Sequence, residues 1–151
     1  ELPADWYLSS DVYRFLGQAY LQNEQLEQAL SQIQQGWQHA RKNEMLEHEA
    51  HAWRLLGVIA GKLNRSVTCS PDDTALYDAR ACFEKSIEIF RKGGMEVSRA
   101  AALKDWAIYE YRQGNREQAP TRYQEARAIF EGLNLPLWVE KIDAEWAALD
   151  A

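Results

Sequence analysis

Apolar residues along this chain recur at helical spacing, and the recurrence changes character in a fixed order. Tyr13, Leu16, Gly17 and Tyr20 lie at i, i+3, i+4 and i+7, one face of an α-helix. Ala29, Ile33 and Gly36 follow in a small–large–small rhythm that lets a second helix approach the first closely. The same slots return as Trp53, Leu56, Gly57 and Ala60, then Ala79, Phe83 and Ser86. A third pass reads Leu103, Trp106 and Ala107, then Ala119, Tyr123 and Ala126. Seven helices are predicted, over residues 4–22, 25–42, 44–61, 71–92, 95–113, 116–131 and 136–149.

The passes keep a period of about 40 residues, within the range of helical solenoids. The step from Gly17 to Gly57 equals that from Ala79 to Ala119, whereas the step from Gly57 to Ala107 is longer by ten positions, which lie between Lys62 and Thr74. Trp106-Ala107 returns one period later as Trp146-Ala147, and the joint Arg41-Lys42-Asn43-Glu44-Met45 matches Arg91-Lys92-Gly93-Gly94-Met95. Fixed-period self-similarity is the mark of a solenoid, in which each unit buries its apolar face on its neighbours. Local signals punctuate the helices. Ser70-Pro71-Asp72-Asp73 reads as a helix start, with serine as cap and proline at the first helical position. Asn115 with Gln118 reads as another. Gly93-Gly94, Gly114 and Gly132 fall at joints, where a left-handed residue can end a helix. Pro120 would lie about five residues inside its helix and strain that turn. The insert, in particular residues 63–70, is expected to be exposed, because it interrupts no slot.

These slots resemble the tetratricopeptide repeat (TPR), whose pattern is W-xx-LG-xx-Y, then A-xxx-F-xx-A, then P. The resemblance covers residues 10–131, with 136–151 as a partial further unit. Two departures are visible: the family's length is about 34 residues, and the closing proline is replaced by Arg41, Arg91 and Glu131. The longer repeat is similar to the helical arrays of bacterial STAND-type ATPases and multidomain cyclases. The resemblance implies an all-α, right-handed α-solenoid of three antiparallel helical hairpins plus a C-terminal helix. It would form one domain over 1–151, with repeats at about 4–43, 44–93 (insert 63–73) and 94–133, and a partial repeat or capping helix at 134–151. In such a fold the fifth, ninth, twelfth and thirteenth repeat positions face a concave groove. Carried over, these are Arg14, Arg54 and Lys104; Gln18, Val58 and Ile108; Leu21 and Tyr111; Lys62 and Arg112. The fifth positions are all basic, which suits an acidic peptide or a terminal carboxylate. Family members that clamp carboxylates carry Asn at the ninth position, whereas this chain has Gln18, Val58 and Ile108.

Composition narrows the function. The net charge of −6 and the lack of a Lys/Arg-rich run speak against nucleic acid. No apolar run is long enough for a membrane span, and no secretory leader pattern is present. Cys69 and Cys82 have no CxxC spacing and suggest a reducing, cytoplasmic setting. His48 and His51, at i,i+3, are the one candidate metal pair. No third ligand is suitably spaced, so they read as solvated surface side chains, as do the scattered carboxylates. No phosphate loop, nucleophile elbow or HExxH is present. Trp53, Trp106, Trp146, Tyr13 and Tyr123 occupy core slots; Trp6, Trp37, Trp138 and Tyr111 do not, and suit the ends of the array or a partner. Glu1 as first residue, with Pro3 just before the first repeat, reads as a piece of a longer protein. The expectation is a non-enzymatic protein-interaction module without cofactor or metal, with self-association through exposed repeat ends as a further expectation. The alternative is a small-ligand sensor regulating an attached ATPase or cyclase.

Overall fold

The computed structural model describes residues 6–150, with side chains from Ser10 onward. The expected helix start at residue 4, Pro3 and the side chain of Trp6 lie outside the described residues. Seven α-helices follow in order: α1 (Trp6–Gln22), α2 (Leu26–Lys42), α3 (Leu46–Leu63), α4 (Ala79–Lys92), α5 (Glu96–Arg112), α6 (Gln118–Gly132) and α7 (Pro136–Ala147), closed by a 3-10 turn at Ala148–Asp150. Among the described residues the one isolated extended pairing is an antiparallel bridge between Val67 and Tyr77. The class is all-α, and no described helix is long and apolar enough to cross a membrane. The chain forms two compact units, Glu1–Ile89 and Phe90–Ala151, divided inside α4.

The joints carry the periodicity more sharply than the helix interiors. Left-handed backbone occurs at Glu24, Glu44, Asn64, Gly94, Gly114 and Asn134. Successive members keep a constant step of half a period, except from Asn64 to Gly94, where the step absorbs the ten extra positions. Each joint has the same two hydrogen bonds. The left-handed residue donates its N–H three residues back, as from Glu44 to Arg41 at 3.3 Å. The next residue donates five back, as from Met45 to Ala40 at 2.8 Å. This is the Schellman closure, which satisfies carbonyls that a helix end would otherwise orphan. At five of the six joints the residue after the left-handed one then accepts the first bond of the next helix, as Met45 does from Glu49 at 2.9 Å. Glycine supplies this conformation at 94 and 114, as its position in the sequence predicts. Gly132 does not: it is the last residue of α6, and Asn134 takes the left-handed position.

In the first unit α1 packs on α2, α2 on α3, and α1 also reaches α3. The small slots make room for large side chains of the facing helix. A Cβ on Gly17 would sit 2.2 Å from Ile33, one on Gly36 2.9 Å from Tyr13, and one on Gly57 2.9 Å from Phe83. Ala29, Ala79, Phe83 and Ser86 are buried. In the second unit α5 packs on α6 and α6 on α7, with Ala107, Ala119, Tyr123 and Ala126 buried. Trp106 donates from Nε1 to Glu110 at 3.0 Å, Asn115 holds the same carboxylate at 2.7 Å, and the Arg122 guanidinium lies 3.4 Å from the Trp106 ring centre.

The insert departs from expectation. Val67, Cys69 and Ser70 are buried, and the segment is clamped to α2. Gln34 donates to the Thr68 carbonyl and hydroxyl at 3.0 Å, Gln38 donates to Asp72 at 3.1 Å, and Arg65 pairs with Glu27 at 2.7 Å. The bridge brings Tyr77 edge-on to Trp53, ring centres 4.9 Å apart, and Trp53 meets Trp37 at 5.8 Å. The Lys85 ammonium lies 5.3 Å and 5.4 Å from the Trp53 and Tyr77 ring centres. The helix expected from residue 71 begins instead at Ala79. Ser70 Oγ accepts from the Asp72 amide at 3.3 Å and Asp73 Oδ1 from the Ala75 amide at 3.0 Å, so both side chains fold a local turn. The cap of α4 is Asp78, whose Oδ1 accepts from the Ala81 amide at 2.8 Å. Pro120 also differs: α6 starts at Gln118, so the proline stands in the first turn, where its missing N–H costs no helical bond. Asn115 does cap, accepting from the Gln118 amide at 3.4 Å.

Candidate binding surface

The carried-over groove positions divide between the units. Arg14, Gln18 and Leu21 stand on α1 and Arg54, Val58 and Lys62 on α3; Lys104, Ile108, Tyr111 and Arg112 all stand on α5. In the first unit Leu21 is buried and belongs to the packing, whereas Arg14, Gln18, Arg54 and Val58 are half-buried and Lys62 is exposed. Arg14 pairs with Asp11 at 3.0 Å and Lys62 reaches Glu24 at 3.8 Å. An acidic partner would therefore share these cations with carboxylates of the chain itself.

Behind Arg14 lies a polar cluster between α1, α2 and α3. Ser10 Oγ is 2.7 Å from His39 Nδ1 and 3.5 Å from Met45 Sδ, and His48 Nδ1 is 3.7 Å from Asp11. Both His48 and His51 are buried, contrary to their sequence reading as surface side chains, because α3 is covered by its neighbours along most of its length. Burial holds the His48 pKa below its ordinary value, an effect that nearby Asp11 opposes. Ser10, Arg14, Ile33, Gly36, His48, Ala52 and Leu55 enclose a gap of about 10 Å³, room for about one water and no metabolite.

In the second unit Lys104 bridges Asp105 and Glu145, each at 2.9 Å. Burial works against its charge, but the two carboxylates outweigh it, and the pKa lies above the usual lysine range. A small recess of about 50 Å³ adjoins it, lined by Ala101, Phe130, Trp138, Ile142 and Glu145. Tyr111 donates to Asp150, packs edge-on to Trp146, and has the Arg116 guanidinium 4.1 Å from its ring centre. Ile108 is half-buried and Arg112 exposed. Tyr123 stacks on Trp146 and donates to Asp143, which Arg127 also holds at 3.0 Å. Burial first and that carboxylate second push the phenol up to about 12.

Several aromatic side chains outside the core slots pack within their own units: Trp37 on Trp53, Tyr111 on Trp146 and Trp138 on Phe130. Glu49 and Glu110 are buried rather than solvating. Among the described residues no three His, Cys, Asp or Glu side chains are grouped to hold a metal. Sequence reasoning missed the clamp of Gln34 and Gln38 on the insert. Its signal was two polar residues four apart on the face of α2 beside the insert. No family model, no curated protein and no solved structure matches the chain.

Proposed function

We propose that the chain is a non-enzymatic interaction module of tetratricopeptide type, a solenoid of helical hairpins whose first helices present a groove to a partner protein segment. The observation that supports this reading is the recurrence of one joint at a step that is constant on either side of the insert, together with the small-residue slots. Helices repeated in this way present equivalent positions in sequence, and Arg14, Gln18, Arg54 and Val58 keep partial exposure on α1 and α3. In the first unit Val58 offers apolar contact and Arg14, Arg54 and Lys62 offer cations to an acidic segment or terminal carboxylate; in the second, taken by itself, Ile108 and Arg112 occupy the corresponding positions. A helical array of this kind docks its partner with little rearrangement. Small-ligand sensing has less support, since the gap of about 10 Å³ and the recess of about 50 Å³ leave no room for a metabolite, and the roomier hollow of about 240 Å³ beside Glu131, Asn134 and Val139 lies open to solvent. A cytoplasmic setting, attachment to a larger signalling protein and indifference to nucleic acid belong to the same proposal.

The test is fluorescence anisotropy with a panel of labelled acidic peptides bearing free or amidated C-termini. Arg54→Glu should weaken the tightest binder about tenfold and flatten its salt dependence, while Arg54→Gln weakens it less. Equal binding by parent and Arg54→Glu, or no binding across the panel, refutes the groove.

A further inference from the structure

One carboxylate oxygen joins the groove positions to the interior of the first unit. Asp11 Oδ1 accepts from Arg14 Nη2 at 3.0 Å, and His48 Nδ1 lies 3.7 Å from that same oxygen. Arg14 is a fifth-position cation whose side chain is 25% exposed, whereas the side chain of His48 is 8% exposed. A partner can therefore reach the guanidinium but not the imidazole. The gap lined by Ser10, Arg14 and His48 leaves room for about one water beside the ring, enough to carry a proton to it.

The charged and titratable groups that act on the His48 ring come from three helices: Asp11 and Arg14 from α1, His39 from α2 and Glu47 from α3 itself. Burial opposes the imidazolium most; Asp11 and Glu47 favour it, and Arg14 and His39 repel it. While Arg14 is paired with Asp11, its guanidinium repels a proton on His48 and also engages the carboxylate that would stabilise one. A carboxylate arriving from outside and pairing with Arg14 offsets both effects. It cancels the repulsion, and it leaves Asp11 to His48. Both changes push the imidazole the same way, toward its charged form.

We propose that an acidic partner segment docking on Arg14 draws a proton onto His48, so that binding in the groove is coupled to proton uptake by a buried histidine. This rests on the groove reading above and adds the regulation of that site. The direction follows from linkage. In the free protein the His48 pKa lies below its ordinary 6.5, and the partner raises it. A group whose pKa rises on binding takes up a proton, so affinity increases as pH falls through the two values. The partner's own carboxylates, with pKa values of about 4, stay ionised throughout that range. The groove thus holds its partner more tightly in mildly acidic surroundings.

Two measurements test this, and the first needs no partner. The His48 ring signal, assigned by its loss in His48→Gln, is followed against pH by NMR in the full chain. Arg14→Gln should move its midpoint up by about half a pH unit or more, and Asp11→Asn should move it down. An unchanged midpoint in both variants overturns the coupling, whatever the groove binds. In the second, the tightest acidic peptide of the panel is titrated calorimetrically at about pH 6 in buffers of different ionisation enthalpy. Uptake of a fraction of a proton per complex is expected, with affinity up to about tenfold greater at about pH 5.5 than at about pH 7.5. His48→Gln should still bind the peptide but lose the uptake, whereas His39→Gln should keep it. Binding without uptake, or uptake that survives His48→Gln, overturns the inference. Absence of any peptide binding refutes the groove and with it the linkage, while the Arg14→Gln titration separately decides whether Arg14 and Asp11 govern the proton on His48.

Discussion

Gly57 is the position where this packing can be tested most sharply. A Cβ built there would lie 2.9 to 3.0 Å from three atoms of the Phe83 ring, closer than carbon atoms approach without repulsion. Phe83 is fully buried, so its ring cannot swing into solvent to make room. Gly57→Ala therefore sets two effects against each other. Replacing glycine inside α3 gains about 1 kcal/mol of helix propensity. Forcing a methyl into a packed core typically costs about 1–3 kcal/mol. The net expectation is a loss of about 1 kcal/mol. The sign should reverse in a Phe83→Leu background, because leucine lacks two of the three ring atoms that the new methyl meets, Cε1 and Cζ, and its remaining δ carbon sits on a flexible branch. There the propensity term dominates, and Gly57→Ala should stabilise by about 0.5–1 kcal/mol. Urea unfolding followed by far-UV circular dichroism and by tryptophan emission gives all four corners of the cycle. A neutral or stabilising Gly57→Ala in the parent would refute the reasoning, as would an equal cost in both backgrounds.

Cys69 and Cys82 should both react slowly with a thiol reagent in the native protein, since burial pushes their thiols up to about 11 and about 12, with Asp73 adding to the effect on Cys69. Gln34→Ala, which removes the clamp on Thr68, should speed labelling of Cys69 and leave Cys82 protected; fast labelling of Cys69 in the parent would show that the insert is open. Asp78→Ala should cost about 1 kcal/mol by uncapping α4, while Pro71→Ala should leave helical content unchanged; the opposite order in urea unfolding would return the helix start to Ser70. For His48 the folded pKa is below the ordinary 6.5, so the unfolded chain takes up the proton first and stability falls as pH drops through about that value. His48→Gln should flatten that fall between neutral and mildly acidic pH, and an unchanged slope would place the pH dependence elsewhere.

Local chemistry made the helices legible from residue order. Spacing of 3 and 4 between large residues, and small residues at 17, 57, 79, 107 and 119, depend only on which residues share a helical face. The length of the insert could also be counted, from the longer step between Gly57 and Ala107. The conformation of the insert could not. Whether Ser70 caps a helix or folds a turn depends on what holds the backbone beyond it, and that is Gln34 and Gln38, far back in the chain on α2. Glycine marked the joints at 94 and 114, but Glu24 and Glu44 adopt the same left-handed backbone against their own preference. The closure bonds of the two flanking helices impose it, and no single-residue propensity reports it. The groove positions could be named by slot. Which of them stay accessible was decided by packing: Leu21 was taken into the core, Lys104 was tied to Asp105 and Glu145, and His48 and His51 were covered. Residue order determines which side chains share a face; only the assembled neighbours determine whether that face meets water, an opposite charge or another helix.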